Sequence, residues 1–245
     1  MARRYDKIIR FPHAQVDRVI DEIERFWERE ETFKTFKLSF KRGIIMHGPP
    51  GSGKTSALQL VARDVVERGG VVIIFDPDLF GSAYRQLRVV QPDVPVVVLM
   101  EDIDALLESR NESAVLNILD GAEGVRKVVF VATTNYPEKL GPRIWNRPSR
   151  FDRRVKVGHP DEVGRKMYLE SLIEGHENEL DVDVDKFIKQ THGMSLAHLK
   201  ELFVATQIIG LSFDEAATHL KEMHKERPTS ADDTAEFDED RGVYV

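Results

Sequence analysis

The sequence predicts an α/β fold: a parallel sheet with helices on both faces, followed by a small all-helical domain. Three observations predict it. Short apolar runs rich in β-branched residues, at 71–75, 96–100 and 128–132, suit strands buried on both faces. Segments with apolar residues at helical spacing alternate with those runs, as in βαβ units. From Pro160 onward helical segments succeed one another without a strand candidate.

The elements follow in order. Residues 8–12 read as a short extended piece. Val16, Val19, Ile20, Ile23 and Phe26-Trp27 then lie on one helical face with charges between them. Phe33, Phe36, Leu38 and Phe40 lead to Gly43-Ile-Ile-Met-His47, an apolar strand. A helix carrying Ala57, Leu58, Leu60, Val61 and Val65 runs until Gly69-Gly70 stops it. The strand at 71–75 ends at Asp76-Pro-Asp78, and a helix is expected over 82–90. Pro92 and Pro95 bracket a turn before the strand at 96–100, and a helix near 114–119 ends at Asp120-Gly121. The strand at 128–132 completes the sheet. Helices near 162–174, 184–190, 196–209 and 213–223 form the second unit. The resulting division is 1–40 as an amino-terminal linker and helix, 41–159 as the α/β domain, 160–224 as the helical domain, and 225–245 as an acidic disordered tail.

Composition narrows the classes. The 245 residues are 41% hydrophobic, enough for one good core and a small appended domain. A formal charge of −7 gives no overall attraction to nucleic acid, so such a partner is unsupported. There are no cysteines, which excludes disulfides and thiolate metal sites. No apolar run reaches the roughly 18 residues of a membrane span. The start, Met-Ala-Arg-Arg-Tyr-Asp, lacks the apolar core of a secretory signal, so a cytoplasmic protein without a membrane segment is expected.

The chemistry concentrates at Gly48-Pro-Pro-Gly-Ser-Gly-Lys-Thr55, a complete match to G-x-x-x-x-G-K-[ST] between a strand and a helix. Gly48, Pro49, Pro50, Gly51, Ser52, Gly53, Lys54, Thr55 and the following Ser56 are the expected nucleotide-binding residues. Glycines let successive N–H groups turn inward on phosphate oxygens, and the helix start faces the same anion. Lys54 supplies a point charge for the outer phosphates, and Thr55 a hydroxyl for a magnesium ion. The implied ligands are ATP and Mg²⁺. At the end of the 96–100 strand stand Glu101-Asp102-Ile-Asp104, where one carboxylate suits the metal shell and another the attacking water. His47 reads as a packed strand-end residue rather than a base. Asp181, Asp183 and Asp185, with His192 and His198, read as solvated surface rather than a metal site.

These motifs, with Ala132-Thr-Thr-Asn135, Arg147-Pro-Ser-Arg150-Phe-Asp-Arg153 and Pro160-Asp161, resemble the AAA clade of the AAA+ ATPases from about residue 8 to 223. Within that clade the order Glu101-Asp102 and the stretch Leu119-Asp120-Gly121 are most similar to the mitochondrial inner-membrane ATPases that move a folded Rieske subunit. The membrane-spanning amino-terminal region of that group is expected to be absent. The resemblance implies a phosphate-loop nucleotidase fold with a helical lid, and a homo-oligomeric ring, a hexamer, that remodels or translocates a protein substrate or works through an adaptor. It implies that Asn135 senses the γ-phosphate or water, and that Arg147 and Arg150 reach a neighbour's phosphates. Ala197 stands where other clades carry a lid arginine. Most of the clade reads Asp-Glu where this chain has Glu101-Asp102; the metal side is assigned to Glu101 and the water side to Asp102. Leu79-Phe80-Gly81 reverses the usual pore tripeptide and reads equally as pore lining or as a packed turn. Two other classes stay open on the residues alone: a nucleotide-switched scaffold or loader associated with DNA, and a small-molecule kinase.

Overall fold

A computed structural model describes residues 15–109, 112–121, 126–176, 180, 182–225, 237–238 and 243–244. The extended piece expected at 8–12 and most of the acidic stretch lie outside them. The strands are β1 (Lys41–His47), β2 (Val71–Ile74), β3 (Val96–Met100), β4 (Val128–Thr134) and β5 (Arg153–Lys156). They form one parallel sheet in the order β2-β3-β4-β1-β5. β4 lies between β3 and β1 and is buried at every position.

Strand alternation splits the core into two layers. On one face Ile44, Met46, Val129 and Val131 meet α1 (Gln15–Trp27) and α3 (Lys54–Glu67), with the short α2 (Glu30–Thr35) beside them. On the other, Ile45, Val98 and Phe130 meet α4 (Phe80–Val90), α5 (Ile103–Ser109), α6 (Glu112–Asp120) and α7 (Pro142–Trp145). Helices therefore cover both faces, as the apolar runs predict. A third, separate core unites α8 (Glu162–Ile173), α9 (Val184–Gln190), α10 (Leu196–Phe203) and α11 (Phe213–Lys225), with a π-helical turn at Val204–Ile208 after α10. Asp161, Asp183 and Ser195 cap the starts of α8, α9 and α10 by accepting from backbone N–H groups.

Three features differ from the expectation. The run at 71–75 reads as doubly buried, yet β2 is an edge strand and Ile74 is 82% exposed. β5 is unforeseen, because Arg153-Arg-Val-Lys156 buries only Val155 and looks like solvated chain. Phe80 opens α4 with its ring in the core against Phe75, Tyr84 and Phe130, so of Leu79-Phe80-Gly81 it is Leu79 that faces solvent. Within 225–245, Phe237–Asp238 pairs antiparallel with Val243–Tyr244. Among the described residues no helix is long and apolar enough to cross a membrane.

Candidate active site

The carboxyl ends of β1, β3 and β4 bring the chemistry-bearing residues to one edge of the sheet, where parallel α/β sheets bind ligands. The loop after β1 turns through Gly51 and Gly53, whose φ values of 71° and 95° lie in the left-handed region. Gly53 opens α3 without a side-chain cap, leaving the first-turn N–H groups for an anion. The start of α10 leans on this loop. A Cβ on Gly51 would sit 2.7 Å from Ser195 Oγ, and one on Gly53 2.9 Å from Leu196 Cδ1.

Lys54 is buried, and its Nζ donates to the carbonyls of Gly48 and Pro49, each at 2.8 Å. Its amine is held inside the loop by oxygen acceptors that a phosphate oxygen would supplement. Burial lowers the Lys54 pKa, while the charges of Asp102 and Asp104 oppose that shift. Thr55 Oγ1 donates to Glu101 Oε1 at 2.5 Å, which unites a hydroxyl and a carboxylate across 46 positions of chain. Two hard oxygen donors side by side at the loop suit Mg²⁺, so the donor set fits that ion.

Asp102 occupies the other side. Its φ is 46°, a left-handed conformation that an Asp tolerates at a cost, and its N–H donates to Thr133 Oγ1 at 3.2 Å. Burial, then the charges of Asp104 and Glu101, raise its pKa above the ordinary carboxylate range. Asn135 Nδ2 donates to Asp102 Oδ1 at 3.3 Å. The structure thus brings together the loop, Glu101, Asp102 and Asn135. His47 stands edge-on to Trp145, and burial followed by Lys156, Arg154 and Lys54 lowers its pKa, so it stays neutral near pH 7.

The two arginines lie elsewhere and are unlike each other. Arg150 is buried, with Nε and Nη2 forking onto Asp120 at 2.8 and 2.6 Å and Nη1 donating to the Arg143 carbonyl at 2.5 Å. Arg147 has 57% of its side chain exposed and approaches Asp120 at 3.6 Å. Sequence reasoning gave no role to Asp104, Thr133, Thr134 or Asp120. Asp104 and Asp120 stand within motifs that spacing had already marked, which was the available signal.

A profile of the ATPase family associated with various cellular activities (AAA) matches residues 44–159. The chain is 30% identical over 198 residues to the ATPase family gene 2 protein of Schizosaccharomyces pombe, covering 73% of this chain and 24% of that one. It is 29% identical over 198 residues to the cell division cycle protein 48 homolog of Archaeoglobus fulgidus, covering 74% and 27%. It is 29% identical over 209 residues to the ATP-dependent zinc metalloprotease FtsH 1 of Conexibacter woesei, covering 75% and 31%. The chain therefore spans about a quarter to a third of the length of these relatives.

Proposed function

From the premise that residues 44–159 carry an AAA ATPase domain, an ATP-hydrolysing module with homologues in the AAA family, we propose that this chain is a ring-forming motor. It couples ATP hydrolysis to remodelling or translocation of a macromolecule, a protein above all. The observation that carries the hydrolytic part is the pairing at one sheet edge: Glu101 with Thr55, and Asp102 with Asn135.

In this reading the loop residues 48–56 hold the triphosphate. Lys54 places its charge beside the outer phosphates, and Thr55 and Glu101 are the residues that would hold Mg²⁺. When bound there, the ion would supply positive charge that offsets phosphate charge. Asp102 accepts the proton of the attacking water, a task that its raised proton affinity favours. Asn135 fixes the water and Asp102 by hydrogen bonds. Arg147, exposed and paired with Asp120 rather than with its own loop, supplies its guanidinium to a neighbouring copy. Arg150, forked inward, shapes the turn that presents Arg147. The two then act as one unit, with Arg150 meeting the neighbour's phosphates only if its fork opens.

The finer likeness to the Rieske-subunit translocases, the hexameric ring and a cytoplasmic location belong to the same proposal. They are supported by the Glu-Asp order and the Leu119-Asp120-Gly121 stretch, by the arginine pair, and by the lack of a membrane-length apolar helix among the described residues. The ring is tested by mixing two inactive full-length variants, Arg147→Ala with an intact loop and Lys54→Ala with intact arginines. Mixed rings contain interfaces that join a good loop to a good arginine, so ATPase activity partly returns. Mixtures that stay inactive, with wild-type specific activity constant down to a demonstrated monomer, would remove the shared site.

A further inference from the structure

Asp104 follows the acidic pair by two residues; its charge adds to the proton affinity of Asp102, but no metal-holding or water-side role falls to its own oxygens. Yet it is only 6% exposed, and its Oδ1 accepts a 2.6 Å hydrogen bond from the hydroxyl of fully buried Thr134. Acids are favoured in the first turn of a helix, and Asp104 is in the first turn of α5. That benefit does not need burial, however. A solvated carboxylate would gain it without the desolvation cost, which is met only where a strong partner is supplied. The partner is Thr134, and its other bond shows what the pair holds.

Thr134 Oγ1 also accepts from the backbone N–H of Tyr136 at 3.0 Å. A hydroxyl has one proton, so giving it to Asp104 leaves the lone pairs turned to Tyr136. The bond spans Asn135, fixing the residue before it to the residue after it. Asn135 in turn reaches Asp102 over 3.3 Å, near the long limit for such a bond, so a small rotation of the turn would lose it. The chain of contacts is thus carboxylate, hydroxyl, backbone turn, amide, carboxylate. It starts and ends on the same acidic segment.

We propose that Asp104 and Thr134 are positioning residues for hydrolysis: the buried carboxylate orients the Thr134 hydroxyl, which locks the turn presenting Asn135 to Asp102. The inference rests on the reading of Asn135 and Asp102 as the water-side pair. Neither Asp104 nor Thr134 touches nucleotide in this scheme, so they govern turnover and not affinity.

The test uses the full chain with Thr134→Val, which keeps the shape and removes the hydroxyl, Thr134→Ser, which keeps the hydroxyl, Asp104→Asn, and Asn135→Ala as the reference. Thr134→Val is expected to lower kcat roughly ten- to a hundredfold, the scale of a small misplacement, with nucleotide Kd unchanged. Thr134→Ser restores most of the rate. On the Asn135→Ala background, Thr134→Val adds almost nothing, because the group it positions is already gone. Hydrogen exchange at the Tyr136 amide supplies a readout independent of activity: it quickens in Thr134→Val and, to a smaller degree, in the isosteric Asp104→Asn. Full kcat in Thr134→Val beside a slow Asn135→Ala would overturn the relay and leave the water-side pair standing. So would equal, multiplying effects in the double variant, or a Tyr136 amide that exchanges no faster. Full kcat in Asn135→Ala would remove the water-side pair itself, and the relay with it.

Discussion

Arg147 and Arg150 are three residues apart and look equivalent in sequence, so the sharpest prediction separates them by stability. Replacing Arg150 by Ala removes a side chain that is 4% exposed, leaves the Arg143 carbonyl without that donor, and leaves Asp120 with the half-exposed Arg147 at 3.6 Å in place of the fork. Losing one member of a buried ion pair costs about 3–5 kcal/mol. Asp120 keeps a third of its side chain in water, which reduces the figure to about 2–3 kcal/mol. For a chain of this size each kcal/mol moves Tm by roughly 2–4 °C, so Arg150→Ala should melt about 5–10 °C lower. Arg147→Ala breaks a half-exposed contact worth under about 1 kcal/mol and should melt within roughly 3 °C of wild type.

The assay is thermal unfolding followed by circular dichroism, without nucleotide and at a concentration where any ring has dissociated. Acid supplies a second axis. The Arg150 fork holds the Asp120 carboxyl below its ordinary range. A folded pKa below the unfolded one means that the stabilisation is complete above the unfolded value, about 4, and is lost as pH falls through the folded value. The Tm gap between wild type and Asp120→Asn should therefore be steady from pH 5 to 8, values taken from about one pH unit above that pKa, and should close only in stronger acid. If Arg147→Ala and Arg150→Ala shift Tm equally little, Arg150 is not sequestered in the free subunit. The reasoning that divides the pair would then fail, and both would act outward.

The remaining predictions concern the loop and the acids. Lys54→Ala should abolish binding of a fluorescent ATP analogue with Mg²⁺, because the amine that two loop carbonyls hold against the phosphates is gone; wild-type affinity would refute the loop assignment. Asp102→Asn should bind ATP normally and lose about 10²–10⁴ in kcat, whereas Glu101→Gln should raise the Mg²⁺ concentration needed for binding. The reverse pattern would exchange the two roles.

What could be read from the chain without its structure follows from how local each interaction is. The phosphate loop is legible because its function resides in eight consecutive residues, and Gly51 and Gly53 are there for their own backbone angles. The strands β3 and β4 are legible because both their faces are buried, so every residue votes the same way. β2 carries the same kind of composition and misleads, since strand order is decided by partners and leaves Ile74 at an edge. β5 misleads in the opposite sense: its strand character comes from pairing with β1, while its own side chains are mostly charged and exposed. The site divides along the same line. The swapped acids are named by their motif, and the assignment of Glu101 to the metal side and Asp102 to the water side rests on the resemblance; in the structure Glu101 reaches Thr55 and Asp102 reaches Asn135 because β1, β3 and β4 run parallel to the same edge. Asp120 decides the difference between Arg147 and Arg150 from 30 residues away, and Thr134 gives Asp104 a purpose from the same distance. Spacing identifies which groups a motif contains. Which of them are free to meet a ligand is set by the residues that hold the others back, and those arrive only when the sheet closes.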